Sequence, residues 1–210
     1  HTKSPLERFE VAREVGQGAA GIVFRAIDAR SGDPVALKVI ASPDADDDAR
    51  TRFLDEGELL STIEHPGIVR IVDFGTLGAD RVELGGRMFA PETPYIAMEW
   101  LEGLDLQRRH ASRPLSLPQS LDCARQVASA LGAAHLRGIV HRDVKPSNVI
   151  VLDGGAEAGS GVRVTLVDFG SVRDAWKGTL GGDTVTGTFG YMPPEQFAGD
   201  ASPASDVYAA

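Results

Sequence analysis

One stretch of eight residues combines three side chains that suit phosphoryl chemistry. It runs from His141 to Asn148 and reads H-R-D-V-K-P-S-N. Asp143 can accept a proton from an attacking hydroxyl, Lys145 can neutralise a phosphoryl oxygen, and Asn148 can ligate a hard cation. Pro146 disfavours a helix and biases the residue before it towards extended conformations, so we expect a loop. Apolar residues on both sides can fix this loop on a packed core.

The composition is that of an ordinary globular chain with an acidic balance. Of its 210 residues 42% are hydrophobic and 24% charged, and the formal net charge is −9. This charge argues against binding to nucleic acid or to an anionic membrane. Cys123 is the single cysteine, which excludes an internal disulfide and a zinc site built from several cysteines. The sequence contains neither a membrane-spanning apolar run nor a signal-peptide pattern, and we expect a cytoplasmic location.

Strand-like periodicity dominates the first part of the chain. Phe9, Val11 and Val15 fall on alternate positions, and β-branched runs follow at 22–24 and 35–40. Between the first two strands the chain reads G-Q-G-A-A-G-I-V, a G-x-G-x-x-G-x-V motif. A dinucleotide-binding turn has the same glycines but leads into a helix, whereas here a strand follows at once. The glycines are therefore expected in a hairpin.

Lys38 is a lone cation within an apolar strand, where its burial is costly unless a carboxylate pairs with it. The next segment, about 46–62, has an acidic first turn and an apolar stripe, which predict a helix. This helix offers two candidate partners, Glu56 and Glu58. Glu56 shares a helix face with apolar residues, including Leu59, so it can point inward.

The remaining elements alternate between strands and loops, with one long helix. Residues 68–72 and 95–101 read as strands, and the Gly-rich segment 75–94 between them is expected to be a surface loop. Two further strands, 149–152 and 162–167, are expected to flank an exposed loop.

The long helix is predicted from its ends. Ser116 and Gln119 fit a capping box at its start, and Gly138 is a plausible stop. Leu121 and Leu131 are expected on its apolar face.

Six segments in a fixed order resemble the catalytic domain of eukaryotic-like (Hanks-type) serine/threonine protein kinases. They are the glycine motif at 16–23, V-A-L-K at 35–38, the predicted helix, H-R-D-x-K-P-x-N, D-F-G at 168–170 and P-P-E at 193–195. The family usually has A-P-E in the last segment; here Glu195 keeps its register although the local backbone is left open. In this family the glutamate that pairs with the lysine lies nine residues before a His-Pro pair, here 65–66, which selects Glu56.

The resemblance implies an α+β, bilobal fold. Residues 1–101 would form the N-lobe and hinge, with an antiparallel sheet and one main helix. Residues 102–210 would begin a mainly helical C-lobe that is incomplete. We therefore expect the sequence to be an excerpt, truncated in the C-lobe, of a longer protein, and its Ala-, Gly-, Asp- and Arg-rich composition favours a bacterial source.

The resemblance also implies ATP and Mg²⁺ as cofactors. The catalytic residues would be Asp143, Lys145, Lys38 and Glu56. The magnesium ligands would be Asn148 and Asp168. The residues expected around the nucleotide are Gly16, Gln17, Gly18, Gly21, Val23, Ala36, Lys38, Met98, Glu99, Leu101, Asp105, Asn148, Ile150 and Asp168.

Some of these roles are specific to the hinge. By position in the family, Met98 would be the gatekeeper at the back of the adenine pocket. The backbone from Glu99 to Leu101 would hydrogen-bond adenine, and Asp105 would face the ribose. Farther along, Asp206 matches an aspartate that braces the catalytic loop.

In this family Lys145 and the Gly187-Thr188 pair are typical of serine/threonine kinases. The expected reaction transfers the ATP γ-phosphate to a Ser or Thr hydroxyl of a protein, without nucleic-acid or membrane contact from this segment. A dimer would allow trans-autophosphorylation, and we expect activation by phosphorylation of Thr184 and Thr186. The alternative interpretation is a pseudokinase or a nucleotide-binding regulatory module of a larger multidomain protein.

Overall fold

The computed structural model describes residues 8–18, 21–40, 47–152, 161–169 and 190–210. Within these ranges the chain forms two compact units. The first unit contains the described residues up to 62 together with 70–100, and the second contains 63–69 and the described residues from 101 onwards. None of the described helices has both the length and the apolar character needed to cross a lipid bilayer.

The first unit is built on an antiparallel sheet. Its strands are β1 (Phe9–Gly18), β2 (Gly21–Asp28), β3 (Pro34–Val39), β4 (Ile71–Thr76) and β7 (Pro94–Glu99). Their order across the sheet is β1-β2-β3-β7-β4. Phe24 and Leu37 are fully buried while their chain neighbours are more exposed, which is the period of two expected when one face of a sheet covers a core. The glycine motif occupies the β1–β2 hairpin, as the sequence predicts.

Helix α1 (Asp47–Ser61) packs on β4 through small and apolar residues. Phe53 and Leu60 are buried, whereas Leu59, which was expected to face inward, is 40% exposed. Gly57 lies directly against Phe74 of β4, because a Cβ at residue 57 would be 2.6 Å from Phe74 Cδ2. The missing side chain at this position therefore sets how closely α1 approaches the sheet.

The segment between β4 and β7 contains a hairpin, so the prediction of a loop over 75–94 is wrong. β5 (Val82–Leu84) and β6 (Arg87–Phe89) pair antiparallel across Gly85 and Gly86. Both glycines have positive φ, 56° and 78°, as a type I′ hairpin turn requires. The inward residues of the hairpin belong to the same buried core as Phe24.

Arg8 links the start of β1 directly to β2 and β4 and, through Asp73, to β7. Its guanidinium donates to Asp28 Oδ2 at 2.8 Å and to Asp73 Oδ2 at 2.6 Å, and Tyr95 Oη donates to the same Asp73 oxygen at 3.1 Å. The hydrogen bond from Arg8 holds the pKa of Asp28 below its usual value. Since Asp28 is 2% exposed, its charge depends on this partner.

The second unit combines a small sheet with helices. Its strands, in the order β10-β9-β8, are β8 (Gly103–Asp105), β9 (Val149–Leu152) and β10 (Val164–Leu166). Its helices are α2 (Leu106–Ser112), α3 (Leu117–His135), α4 (Pro194–Phe197) and α5 (Pro203–Ala209). The strand expected at 68–72 is divided, because Ile68 forms a parallel bridge with Leu166 whereas β4 begins at Ile71.

Helix α3 begins as predicted but buries a different face. Ser116 and Gln119 form a capping box, and the helix ends before Gly138, whose φ is +75°. Leu131 is buried, whereas Leu121, expected on the same face, is 64% exposed. The buried residues of this helix are Cys123, Val127, Ala130, Leu131 and Ala134.

We predict that the same substitution has opposite effects at two helical glycines. Gly57→Ala should destabilise the full-length protein by about 1–3 kcal/mol, because its Cβ would overlap the Phe74 ring. Gly132→Ala in α3 is the matched control. Apart from the helix's own backbone and the chain neighbours, no described residue lies within 4 Å of its Cβ position, and the substitution should stabilise by about 0.5–1 kcal/mol. Urea unfolding of the two variants measures both effects. Equal effects at the two sites would contradict the role given to Gly57.

Candidate active site

The stretch from His141 to Asn148 forms a loop that ends in a 3₁₀ turn (Pro146–Asn148), as the sequence predicts. The loop brings its three polar side chains together around Asp143, which is 9% exposed. Lys145 Nζ donates to Asp143 Oδ2 at 2.7 Å. Asn148 Nδ2 donates to the same oxygen at 3.2 Å and to the Asp143 carbonyl oxygen at 2.8 Å. The carboxylate is therefore held in one orientation by a cation and an amide.

Asp206, on α5, fixes the backbone that leads into this loop. Its Oδ2 accepts from the His141 N–H at 2.7 Å and its Oδ1 from the Arg142 N–H at 2.8 Å. His135 Nε2, on α3, donates to Oδ2 at 2.7 Å. Asp206 is 1% exposed, so its carboxylate has lost its hydrogen bonds to water. The three hydrogen bonds it accepts from the protein replace them. The prediction that Asp206 braces the catalytic loop is confirmed in this geometry.

Arg142 is held in a strained backbone conformation. Its φ is 65°, a left-handed value that costs a non-glycine residue about 1–3 kcal/mol. Asp206 accepts from its N–H, and Gln196 Nε2 donates to its carbonyl oxygen at 2.6 Å. Both sides of the residue are thus fixed by side chains from α4 and α5, which offsets the strain.

His141 is completely buried and has one tautomer. Its Nε2 donates to the Val167 carbonyl at 3.1 Å, and its Nδ1 accepts from the Asp143 N–H at 3.3 Å. Its ring lies 4.5 Å from that of Phe169. Burial lowers the pKa of the imidazole below its usual value, so it is neutral at physiological pH. The neutral ring ties Asp143 to the end of β10.

The two predicted magnesium ligands lie at the same end of two paired strands of the second unit: Asn148 immediately precedes β9, and Asp168 follows β10. The Val167 N–H, one residue before Asp168, donates to the Asn148 carbonyl oxygen at 3.0 Å. The amide nitrogen of Asn148 donates both of its hydrogen bonds to Asp143. The amide oxygen, Asn148 Oδ1, accepts no hydrogen bond from any described residue. Mg²⁺ prefers oxygen ligands, and the amide oxygen of Asn148 and the carboxylate of Asp168 are ligands of this kind. Asp168 has a φ of 61°, a further strained residue at this point.

In the first unit, the predicted nucleotide-binding residues of the sheet lie side by side. Lys38 on β3 pairs in register with Val23 on β2 and with Ile96 on β7, and Ala36 pairs with Met98. Met98 is 7% exposed, as expected for a residue at the back of a pocket or in a core.

The helix residues predicted to pair with Lys38 differ in burial. Glu56 is half-buried, whereas Glu58 is exposed. This difference favours Glu56, in the same unit as Lys38, and the ion pair itself stays a prediction.

The glycines of the motif differ in how much space surrounds them. At Gly16 and Gly18 no described residue apart from the chain neighbours lies within 4 Å of where a Cβ would be. Gly21 has a φ of 128°, and a Cβ there would overlap the Val39 carbonyl oxygen. Gly21 is thus required by the strand pairing, whereas Gly16 and Gly18, with Gln17 between them, leave an uncovered backbone.

Backbone donors around the predicted hinge are not equivalent. The Glu99 N–H donates to Arg70 O at 3.0 Å and the Trp100 N–H to Pro34 O at 3.3 Å. Among the described residues, the Leu101 N–H has no hydrogen-bond acceptor. Leu101 is therefore the best placed of the three to donate to a base.

Asp105, which was expected to face a ribose, caps a helix of the second unit. Its Oδ1 accepts from the Arg108 N–H at 2.8 Å and caps α2. It also pairs in register with Ile150 of β9. Its role towards a ribose stays a prediction.

Several predicted residues lie outside the described part of the chain. They are Gly170 of the D-F-G triplet and Thr184, Thr186, Gly187 and Thr188 of the predicted activation loop.

Comparison with known proteins gives a family for this geometry. The model of the protein kinase domain matches residues 9–210 of the chain. The chain belongs to the protein kinase family. The kinase fold expected from the sequence, α+β with an antiparallel sheet in its first lobe, is therefore confirmed.

The relatives of this kinase domain include serine/threonine kinases of bacteria. The chain is 38% identical over 207 residues to serine/threonine-protein kinase PknA of Mycobacterium tuberculosis, covering 96% of the chain and 44% of PknA. It is 34% identical over 207 residues to serine/threonine-protein kinase pkn2 of Myxococcus xanthus, covering 96% of the chain and 23% of the relative. The chain thus spans less than half the length of these proteins.

Solved kinase structures resemble the fold. The Mycobacterium tuberculosis PknI kinase domain superposes with a TM-score of 0.66 at 31% identity, covering 96% of the chain and 70% of the solved kinase domain. Rad53 residues 1–466 in complex with AMP-PNP superposes with a TM-score of 0.72 at 26% identity, covering 98% of the chain and 46% of the solved Rad53 chain.

Two residues of this kinase site were missed from the sequence. His135 and Gln196 contact the catalytic loop through partners far away along the chain. His135 had a detectable signal, since it lies four residues after the buried Leu131 and therefore on the inward face of α3. Gln196 follows Glu195, but nothing local distinguishes it from an exposed glutamine.

We predict that Asp206→Asn lowers kinase turnover and the stability of the second unit. The amide would point a donor at backbone N–H groups, leaving at least one unsatisfied at a cost of about 1–3 kcal/mol. Asp200→Asn is the matched control, since Asp200 is exposed and its side chain makes no hydrogen bond with a described residue. Turnover and urea midpoints of the full-length variants measure the effect. Similar values for both variants would contradict the bracing role.

Proposed function

We propose that the protein carrying this chain is an ATP-dependent kinase that phosphorylates Ser or Thr hydroxyls of proteins. The observation that carries the proposal is the arrangement at Asp143, with Lys145 Nζ 2.7 Å from its Oδ2 and Asn148 donating to the same oxygen. A carboxylate fixed in this way can accept the proton of a substrate hydroxyl as it attacks. The serine/threonine kinase names of its relatives support the substrate class.

Each predicted residue would have a separate task in the reaction. Asp143 orients the attacking hydroxyl and takes its proton. Lys145 would then move from Asp143 towards the phosphoryl oxygens, where its charge is needed as negative charge develops. Lys38 would bind the α- and β-phosphates, and Glu56 would hold its ammonium in place. We assign these tasks to two lobes, 1–101 and 102–210.

Magnesium would be held by Asn148 and Asp168. When bound, the ion neutralises phosphate charge and aligns the phosphates for transfer. Because two protein ligands are predicted, water and phosphate oxygens would complete its coordination. A requirement for ATP also favours a cytoplasmic location for this chain.

Regulation would act through the predicted activation loop. A phosphate on Thr184 or Thr186 brings about −1.5 to −2 charges, which the guanidinium of Arg142 could bind. A second copy of the kinase would supply this phosphate if the protein forms a dimer. Thr184 and Thr186 lie outside the described ranges.

The first test concerns the base. Asp143→Asn in the full-length protein should lower phosphate transfer roughly 10²- to 10⁴-fold, because a positioned general base is lost. ATP affinity, measured by calorimetry, should change little. A variant that transfers phosphate at the wild-type rate would remove Asp143 from the mechanism. If the wild-type protein binds ATP but transfers none, the pseudokinase interpretation replaces this proposal.

The second test concerns activation. Mass spectrometry of the active protein should find phosphate on Thr184 or Thr186, and a Thr184→Ala/Thr186→Ala double variant should be less active. If a dimer phosphorylates itself in trans, the rate of loop phosphorylation per molecule should fall once dilution dissociates the dimer into monomers, a step followed by light scattering. Undiminished activity of the double variant would contradict the activation step, and an unchanged rate in a fully monomeric sample would contradict phosphorylation within a dimer.

A further inference from the structure

The β5–β6 hairpin reaches the glycine motif through one side chain. Arg87 Nε donates to Glu14 Oε2 at 2.9 Å, and Arg87 Nη2 donates to Glu14 Oε1 at 3.2 Å. The same Nη2 donates to Gln17 Oε1 at 3.0 Å. Glu14 lies on β1 just before the motif, and Gln17 stands between Gly16 and Gly18. One guanidinium therefore contacts the motif at two points.

The two contacts span an irregularity in β1. The pairing of β1 with β2 shifts register between Glu14 and Gly16, which marks a bulge. A bulge bends its strand and interrupts the ladder of hydrogen bonds. Beyond it, no described residue apart from the chain neighbours comes within 4 Å of where a Cβ of Gly16 or Gly18 would lie, so packing against the described residues contributes little to their position. Arg87 therefore contacts β1 on both sides of this register shift.

The hairpin that carries Arg87 is firmly anchored. Phe89 packs edge-on against Phe24, with ring centroids 6.2 Å apart and an interplanar angle of 81°. Gly85 sits on the same Phe24 ring, since a Cβ there would be 2.7 Å from its Cε1. Val82 and Leu84 are buried in the core of the first unit. Arg87 thus projects from a well-packed hairpin onto the exposed end of β1.

We propose that Arg87 is a positioning residue for the glycine-rich loop and lowers the cost of ordering that loop over ATP. The inference rests on the proposed kinase function, because that function assigns phosphate binding to the glycine motif. A loop already held near its bound conformation loses less entropy when the ligand arrives, so binding is tighter. Arg87 would act through Glu14 and Gln17 without touching the nucleotide.

The chemistry of the contact makes it specific to arginine. Two adjacent N–H groups of a planar guanidinium match the two oxygens of Glu14, and Nη2 also donates to the Gln17 amide oxygen. A lysine would keep the charge but lose this fork. The pair is partly exposed, with side-chain exposures of 40% for Arg87 and 33% for Glu14, so its effect on overall stability should be small.

Steady-state kinetics of the full-length protein tests the proposal. Arg87→Ala should raise the KM for ATP roughly three- to tenfold, the equivalent of one or two hydrogen bonds, with the peptide KM and the melting temperature unchanged. Arg87→Lys should recover only part of the loss. Arg81→Ala is the matched control, because Arg81 precedes the same hairpin, is exposed and forms no ion pair with a described residue. It should leave the KM for ATP at the wild-type value.

A double-mutant cycle tests the route through Gln17. Arg87→Ala and Gln17→Ala should be less than additive in their effect on nucleotide affinity, because either change breaks the same contact. Affinity for a non-hydrolysable ATP analogue, measured by calorimetry, gives this answer even if no phosphate is transferred. An unchanged affinity in Arg87→Ala, an equal loss in Arg81→Ala, or fully additive losses would each overturn the proposal. A protein that binds no nucleotide at all would instead refute the kinase function.

Discussion

The arrangement of the second unit depends on the hydrogen bonds that the buried carboxylate of Asp206 accepts. This carboxylate collects an N–H from each of two consecutive loop residues and a ring N–H from His135, so α3, α5 and the catalytic loop share one acceptor group. These bonds also hold Arg142 at a positive φ that an isolated loop would not adopt. The orientation of Asp143 is therefore a consequence of a charge placed on another element, far along the chain.

The two units position their functional residues by opposite means. In the first unit the decisive positions are those without a side chain: Gly57 lets α1 rest on Phe74, and Gly21 lets β2 approach β3. In the second unit the decisive positions carry hydrogen-bonding groups, above all Asp206 and Asn148. Close packing fixes distances between elements, whereas directed hydrogen bonds fix the orientation of individual groups. The proposed phosphoryl transfer would need both kinds of precision.

Local signals predicted much of the fold, because turns, helix caps and strand periodicity depend on residues that are close together in the sequence. The glycine hairpin, the capping box at Ser116 and the strand at 149–152 were found in this way. The prediction failed where burial depends on distant partners. Leu121 continues the apolar pattern of α3 but is exposed, and the contacts of His135 and Gln196 span 71 and 54 residues. The β5–β6 hairpin was missed although its Gly-Gly turn was visible.

The imidazole of His141 offers a spectroscopic view of this assembly. Each ring nitrogen has a fixed task, one donating to a carbonyl and the other accepting from an amide, and the ring is shielded completely from water. The two nitrogens should therefore resonate at well-separated nitrogen-15 frequencies, and the ring proton should exchange slowly with solvent. Loosening of the catalytic loop would merge those signals and speed that exchange. One buried side chain can thus act as an internal NMR probe of whether the loop is correctly formed.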